Sequence, residues 1–214
     1  MGRLKGSEYS YPASVDDLLL VEEMRQDLAG LEVPVLQRAG GSQDYLFFSF
    51  LDGTGHDKDK PELGVISTIS HLYDQVRTAQ VDSERRLAAS YSPGIGSQTN
   101  PITRGFDGVF ATTWEVGIQG AYFELSAQAK GWLEAHRDAQ IRVVSVGYSR
   151  GAVQAAGLAR LIDRYGIVSP EDISFGRDEH GNISVKSSWG VLVPPGQVPQ
   201  ASLLLDPVAT NMPR

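Results

Sequence analysis

Gly147-Tyr148-Ser149-Arg150-Gly151 is the stretch whose residue types and spacing are equipped for covalent chemistry. A G-x-S-x-G pentapeptide has meaning between a strand and a helix, where a sharp turn lifts the serine hydroxyl clear of the backbone. Here an apolar, β-branched run from Ile141 to Val146 precedes it, and a helix-forming segment from Ala152 to Tyr165 follows. Glycines two before and two after the serine are needed because a Cβ at either place would strike the neighbouring strand or helix. The helix N-terminus adds N–H groups and partial positive charge where anionic charge develops on oxygen. In a chain with 23 glycines the same letters also arise as an ordinary small-residue turn, and the context favours the elbow. The chemistry expected is acyl transfer, with Ser149 as nucleophile and the Arg150 N–H as first oxyanion donor.

Two other strand ends supply further parts. Asp206 follows the apolar run Ala201 to Leu205. That is where an α/β-hydrolase keeps the acid that orients its histidine, in the chain order serine, acid, histidine. Its bland alternative is a turn residue before proline. Asp52-Gly53-Thr54 follows the run Tyr45 to Leu51, and Gly53 and Thr54 are the candidates for the second oxyanion donor. The base is missing from its place, because the eight residues after Asp206 contain no histidine. His71 and His136 fall in helical patterns and His180 in a turn. His56 lies beside Asp52-Gly53-Thr54, out of order for this arrangement but near enough to be the in-chain alternative. The chain stops at Met212-Pro213-Arg214, and the expectation is an N-terminal portion of a longer protein, cut after the catalytic-acid strand. The histidine then belongs to a C-terminal part, and the N-terminal piece alone is expected to be poorly soluble, with uncovered sheet edge.

The elements that must hold these residues alternate. Strands are predicted at 45–51, 87–91, 141–146 and 201–205. Helices are predicted from Ser14, with Leu18, Val21, Met24 and Leu28 on one side, and over Gly64 to Val76. A long one runs from Glu115 to Arg137, and the elbow helix carries a small face of Ala152, Ala155, Ala156, Ala159 and Ile162. Alternation of this kind implies an α/β fold with a mostly parallel sheet and a site at the strand C-termini. The segment from about 169 to 199 reads as an inserted hairpin and loop, turning at Asp178 to Asn182. The organisation expected is a helical extension over 1–44 and a core over 45–214.

Composition narrows the function classes. The chain has 214 residues, 41% hydrophobic content, mean hydropathy -0.20 and net charge -7, which suits a globular enzyme and disfavours nucleic acid. With no cysteine, disulfides, thiolate catalysis and cysteine zinc sites are excluded. The N-terminus reads as lacking the apolar stretch of a signal peptide. Asp52, Asp57, Asp59 and Glu62 gather oxygen ligands in the manner of a calcium loop. The interleaved Lys58 and Lys60 and the absence of an EF-hand pattern favour a solvated loop instead. Gly94-Ile95-Gly96 lacks the rest of a phosphate or dinucleotide loop. No metal or cofactor is expected. Asn182-Ile183-Ser184 reads as hairpin turn, not glycosylation site.

Taken together, Phe50-Leu51-Asp52-Gly53-Thr54-Gly55, Tyr91-Ser92-Pro93-Gly94-Ile95-Gly96, Gly147-Tyr148-Ser149-Arg150-Gly151-Ala152 and Asp206-Pro207-Val208 resemble an ordered set of motifs. It is that of the α/β-hydrolase domain of bacterial type VI secretion lipase effectors and their relatives. The resemblance covers about Tyr45 to Thr210, with Tyr148 where phenylalanine is usual and Pro207 where threonine is. It implies an esterase acting on phospholipid or related acyl lipid, with a Ser149-Asp206 pair completed by a histidine from a C-terminal part. It also implies residence in the bacterial cytoplasm before export, delivery into a target cell without a cleaved signal peptide, and contact with an immunity protein or a secretion-machine component. A non-catalytic binding module on a degenerate hydrolase fold is the rival expectation. A thioesterase or peptidase on the same fold is another.

Overall fold

The computed structural model describes residues 14–30, 43–60, 66–82, 86–95 and 113–208. Glu62, Gly64, Gly96 and Met212-Pro213-Arg214, all singled out from the sequence, lie outside the described residues. The chain divides into two compact units, Met1–Val35 and Leu36–Arg214. In the first, helix α1 spans Val15–Ala29. A reciprocal cap starts it: Ser14 N–H donates to Asp17 Oδ2 at 2.8 Å and Asp17 N–H to Ser14 Oγ at 3.1 Å, satisfying amides that the first helical turn leaves without intrahelical partners. Leu18, Val21 and Met24 along it are exposed.

The second unit runs β1 (Asp44–Leu51), α2 (Thr68–Asp82), β2 (Leu87–Ser92), α3 (Thr113–Ala135), β3 (Gln140–Tyr148), α4 (Arg150–Tyr165), β4 (Ile167–Val168), β5 (Ile173–Arg177), β6 (Ile183–Ser187), β7 (Val191–Val193) and β8 (Gln200–Leu205). The four runs predicted as strands make one parallel sheet in the order β2-β1-β3-β8. The fold is therefore α/β, a parallel central sheet flanked by helices.

Strand order follows from which faces are apolar. Phe50 and Val146 form a cluster with Ile69 and Leu72 of α2 on one face. Tyr45, Phe47, Ile141 and Val143 pack with Ile118, Tyr122 and Leu125 of α3 and Leu158 and Ile162 of α4 on the other. Right-handed crossovers place helices on opposite faces when the chain winds outward in opposite directions. From β1 it winds through α2 to β2, then returns through α3 past β1 to β3. The reversal falls between β1 and β3, and a crevice opens at their C-terminal ends.

A row of small residues lets α4 settle close to the sheet. Ser90, Ser49 and Ser145 are buried at matching register on three adjacent strands, and Ala152 and Ala155 are fully buried. The alanine face drawn from the sequence needs correction, however. Ala156 is exposed, and Leu158, Leu161 and Gln154 are buried in its stead, because α3 packs against α4 and widens the covered face. Truncating Leu158 would cost about 2–5 kcal/mol at such a site.

The segment after α4 contains an antiparallel hairpin. β5 and β6 pair antiparallel from Ile173↔Ser187 to Arg177↔Ile183, and the turn closes with Asp178 N–H donating to Asn182 O at 2.8 Å. The short antiparallel pair of β4 with β7 has no counterpart in the sequence reading. Asp178 ties the hairpin to α4, accepting from Arg160 at 2.9 Å, with Arg164 at 3.6 Å. Burial works to raise its pKa but is outweighed by hydrogen bonds from Asn182, His180 and Arg160, which hold it at about 2.

Candidate active site at the strand ends

Ser149 occupies the turn between β3 and α4 with φ 55° and ψ -121°, a backbone conformation that costs an L-residue energy and persists only where the surroundings enforce it. Three backbone bonds and two glycines enforce it here. Ser149 N–H donates to Leu205 O at 2.9 Å, and Ser149 O accepts from Ala152 at 3.1 Å and Val208 at 3.2 Å. A Cβ on Gly147 would lie 2.3 Å from Gly151 O, and one on Gly151 would lie 2.2 Å from Leu51 O. A serine in the N-cap position ordinarily spends its hydroxyl on the helix. Ser149 makes no such bond, and its Oγ has no partner among the described residues.

Asp206 stands beside it. β3 and β8 pair parallel with Tyr148 opposite Leu205, so Ser149 and Asp206 are the next residues on adjacent strands. Leu205 and Val208, which flank the Asp206-Pro207 step, are two of the three residues that bond the Ser149 backbone. Asp206 also has a positive φ, 44°. It is exposed, and its carboxylate has no hydrogen-bond partner among the described residues.

The loop after β1 faces the elbow from the other side of the crevice. A Cβ on Gly53 would meet the Tyr148 ring at 2.5 Å and Ser149 Cβ at 3.4 Å, while one on Gly94 would fall 1.7 Å from Gly53 O. The Gly94-Ile95 segment thus backs this loop as Tyr148 and Ser149 front it. Arg150 Nε donates to Thr54 Oγ1 across the gap. The two oxyanion candidates in the loop differ in state. Gly53 N–H is donated to Asp52 Oδ1 at 2.7 Å, whereas the N–H groups of Thr54 and Arg150 have no acceptor among the described residues.

Asp52 is the residue whose setting the sequence concealed. It is 1% exposed, and the Asp57 side chain is 8% exposed, so the solvated-loop reading holds for Asp59, 74% exposed, and not for these two. Besides Gly53 N–H, the Asp52 carboxylate accepts from Ser67 Oγ, from Ser70 Oγ at 3.2 Å and from Tyr91 Oη at 2.8 Å. Burial, followed by the hydrogen bond to Asp52, pushes the Tyr91 phenol above its ordinary pKa, so it remains a donor. The signal available in sequence was a pair of serines at a helix start and a tyrosine at the end of a strand. Asp57 and Asp59 pair instead with Lys60 and Lys58.

Of the histidines, His56 is the one in the crevice. Its ring meets Tyr148 edge-on, with centroids 6.1 Å apart and planes at 68°. His71, His136 and His180 are exposed, His136 against Tyr45 and His180 in the hairpin turn. A cavity of about 520 Å³ opens elsewhere, lined by Trp114, Glu115, Arg160, Arg177 and Asn182 among others. Its cations are already committed, Arg177 to Glu115 at 2.8 Å and Arg160 to Asp178 at 2.9 Å, and it holds neither Ser149 nor Asp206. Among the described residues no helix is long and apolar enough to cross a membrane, and no group of three acidic, histidine or cysteine side chains is arranged to hold a metal ion.

Comparison with known proteins gives one family. The model of "T6SS, Phospholipase effector Tle1-like, catalytic domain" matches residues 47–179. Among solved structures, a 2.75 Å crystal structure of an uncharacterized protein from Bacillus cereus ATCC 10987 is similar at 19% identity, over 68% of this chain and 40% of that one, with TM-score 0.25. This chain therefore spans 40% of the length of that protein. No curated protein matches.

Proposed function

Because the chain belongs to the family of T6SS phospholipase effector Tle1-like catalytic domains, a family of hydrolases, we propose that it contributes the nucleophile and acid of a serine-dependent carboxylic ester hydrolase. Its substrate class is phospholipid or a related acyl lipid, and its fold is that of the α/β-hydrolases. The observation that carries the reading is the Ser149–Asp206 pair, a strained serine beside an aspartate, with neither its hydroxyl nor that carboxylate hydrogen-bonded among the described residues. Ser149 Oγ attacks the ester carbonyl and transfers its proton to a histidine. The anionic oxygen of the tetrahedral intermediate is met by the Arg150 N–H and the Gly53-Thr54 loop, at the positive end of α4. Asp206 orients the histidine and stabilises its protonated form.

The base comes, in this reading, from a C-terminal part of the same protein acting as a separate chain. Support comes from β8, which among the described residues pairs with β3 alone. Leu203 and Leu204, on its opposite faces, are 48% and 40% exposed. An edge strand apolar on both faces is suited to being covered. His56 is the second reading for the base, favoured by its contact with Tyr148. The organisation proposed is an extension over 1–44, a hydrolase core over 45–214 and an insert over 169–199. Family membership supports export from the bacterial cytoplasm to a target cell, with a secretion-machine component or an immunity protein as partner.

The test is Ser149→Ala in the intact protein, assayed on short-chain esters and phospholipid vesicles, with fluorophosphonate labelling alongside. Loss of turnover by at least about 1,000-fold is expected. Turnover unchanged in Ser149→Ala refutes the nucleophile, and absence of both turnover and labelling in the unaltered protein favours a non-catalytic binding module. Labelling with activity on thioesters or peptides alone moves the substrate class.

A further inference from the structure

The buried Asp52 carboxylate takes no part in the chemistry above, yet it sits under the loop that faces Ser149. Its two oxygens receive four donors from three parts of the chain. Gly53 N–H bonds Oδ1; Ser67 and Ser70, at the start of α2, and Tyr91, near the end of β2, bond Oδ2. Tyr91 Oη in turn accepts from Lys58 N–H at 3.1 Å, which reaches the far side of the same loop. A buried carboxylate is tolerable only when it is hydrogen-bonded in this way, and removing it leaves several donors unmet. Such a cluster is stiff, and it fixes the direction of one particular amide.

We propose that Asp52 is a positioning residue for ester hydrolysis: by claiming the Gly53 N–H it anchors the Asp52-Gly53 peptide, and with His56 N–H donating to Gly53 O at 3.0 Å the following Gly53-Thr54 peptide is turned so that the Thr54 N–H, with the Arg150 N–H, faces the developing oxyanion. This inference rests on the serine-ester reading of the site. It assigns the loop's contribution to Thr54, with Gly53 needed for space. At Gly53 a side chain would meet Tyr148 at 2.5 Å, while its amide is already spent. Thr54 is held from both sides, by the Asp52-anchored peptide before it and by the Arg150 contact to its hydroxyl.

The intact protein carrying Asp52→Ala or Asp52→Asn decides this. Asparagine keeps an acceptor for Gly53 N–H; alanine does not. Expected for Asp52→Ala is a kcat at least 100-fold lower with KM within twofold, because the oxyanion interaction strengthens only in the transition state. Asp52→Asn is expected to recover most of that loss, and fluorophosphonate labelling to slow in the same order. Hydrogen exchange is expected to show the Gly53 amide protected in the unaltered protein and in Asp52→Asn, and unprotected in Asp52→Ala. Should Asp52→Ala not fold, Tyr91→Phe and Ser70→Ala each remove one donor to Oδ2, and kcat three- to tenfold lower at unchanged KM is expected of both. Wild-type kcat in the folded alanine variant, or in both donor variants, overturns the inference. So does a loss equal in the asparagine and alanine variants, or one accounted for by the unfolded fraction. Ser149→Ala separates the two levels. If it is inactive while the Asp52 variants are not, only this inference fails; if it is fully active, the serine reading fails too.

Discussion

Replacing Gly151 by alanine puts a methyl carbon 2.2 Å from Leu51 O, 2.6 Å from Asp52 O and 2.7 Å from Leu51 C. All three obstacles are backbone at the end of β1, so no side chain can swing aside. Two effects oppose each other. Alanine in place of glycine within a helix stabilises by about 0.5–1 kcal/mol, whereas overpacking against a fixed neighbour costs about 1–3 kcal/mol or more. Obstacles that are all backbone within 2.7 Å put the cost at the upper end of that range, so the clash wins and the net loss is about 1–2 kcal/mol. For a domain of this size that lowers Tm by roughly 2–8 °C. Gly131 supplies the control, because it lies in α3 with nothing within 4 Å of an added Cβ. The same substitution there is expected to stabilise by about 0.5–1 kcal/mol. Thermal and urea unfolding followed by circular dichroism measures both, with an unchanged urea slope as the sign that the unfolding reaction is the same. A Gly151→Ala protein as stable as the unaltered one would refute the packing of α4 on the end of β1, and with it the geometry that holds Ser149 in place.

Asp206→Asn is expected to lower kcat by at least about 100-fold with stability within about 0.5 kcal/mol, since an exposed carboxylate with no partner among the described residues holds little of the fold together; a stability loss above about 2 kcal/mol, or unchanged kcat, would assign it to the turn instead. Asp178 gives a pH dependence whose sign follows from its depressed pKa of about 2. Its contribution is fully present above the ordinary aspartate value of about 3.9 and is lost as pH falls through 2. Urea midpoints measured from pH 5 to 2 should therefore fall less steeply in Asp178→Asn, and parallel curves would contradict the assignment. Leu203→Lys with Leu204→Lys should reduce self-association in light scattering while shifting stability by about 1 kcal/mol or less; a greater loss would mean that both leucines belong to the core. If His56 is the base, His56→Gln abolishes turnover in the chain alone, and full activity in that variant excludes it.

Legible in the sequence were the four central strands, the sharp strand-to-helix turn at Ser149 and the turn from Asp178 to Asn182. Their signals are local: β-branched runs of strand length, glycines flanking a serine, and an Asp-Glu-His-Gly-Asn turn. Parallel pairing and the reversal between β1 and β3 were legible only as a class, because strand alternation with helices implies a parallel sheet without giving its order. The tertiary structure decided what each polar group does with its neighbours. Asp52 reads as one of several acids in a charged loop, yet it is buried because Ser67, Ser70 and Tyr91, remote in sequence, converge on it. Gly53 and Thr54 are adjacent and equivalent as letters, but the Gly53 amide is spent on that carboxylate while the Thr54 amide has no acceptor among the described residues. The face of α4 widened beyond its alanines because α3 packs against it. Ser149 and Asp206 became neighbours through the register of β3 on β8, a relation between strands that no spacing along one chain encodes.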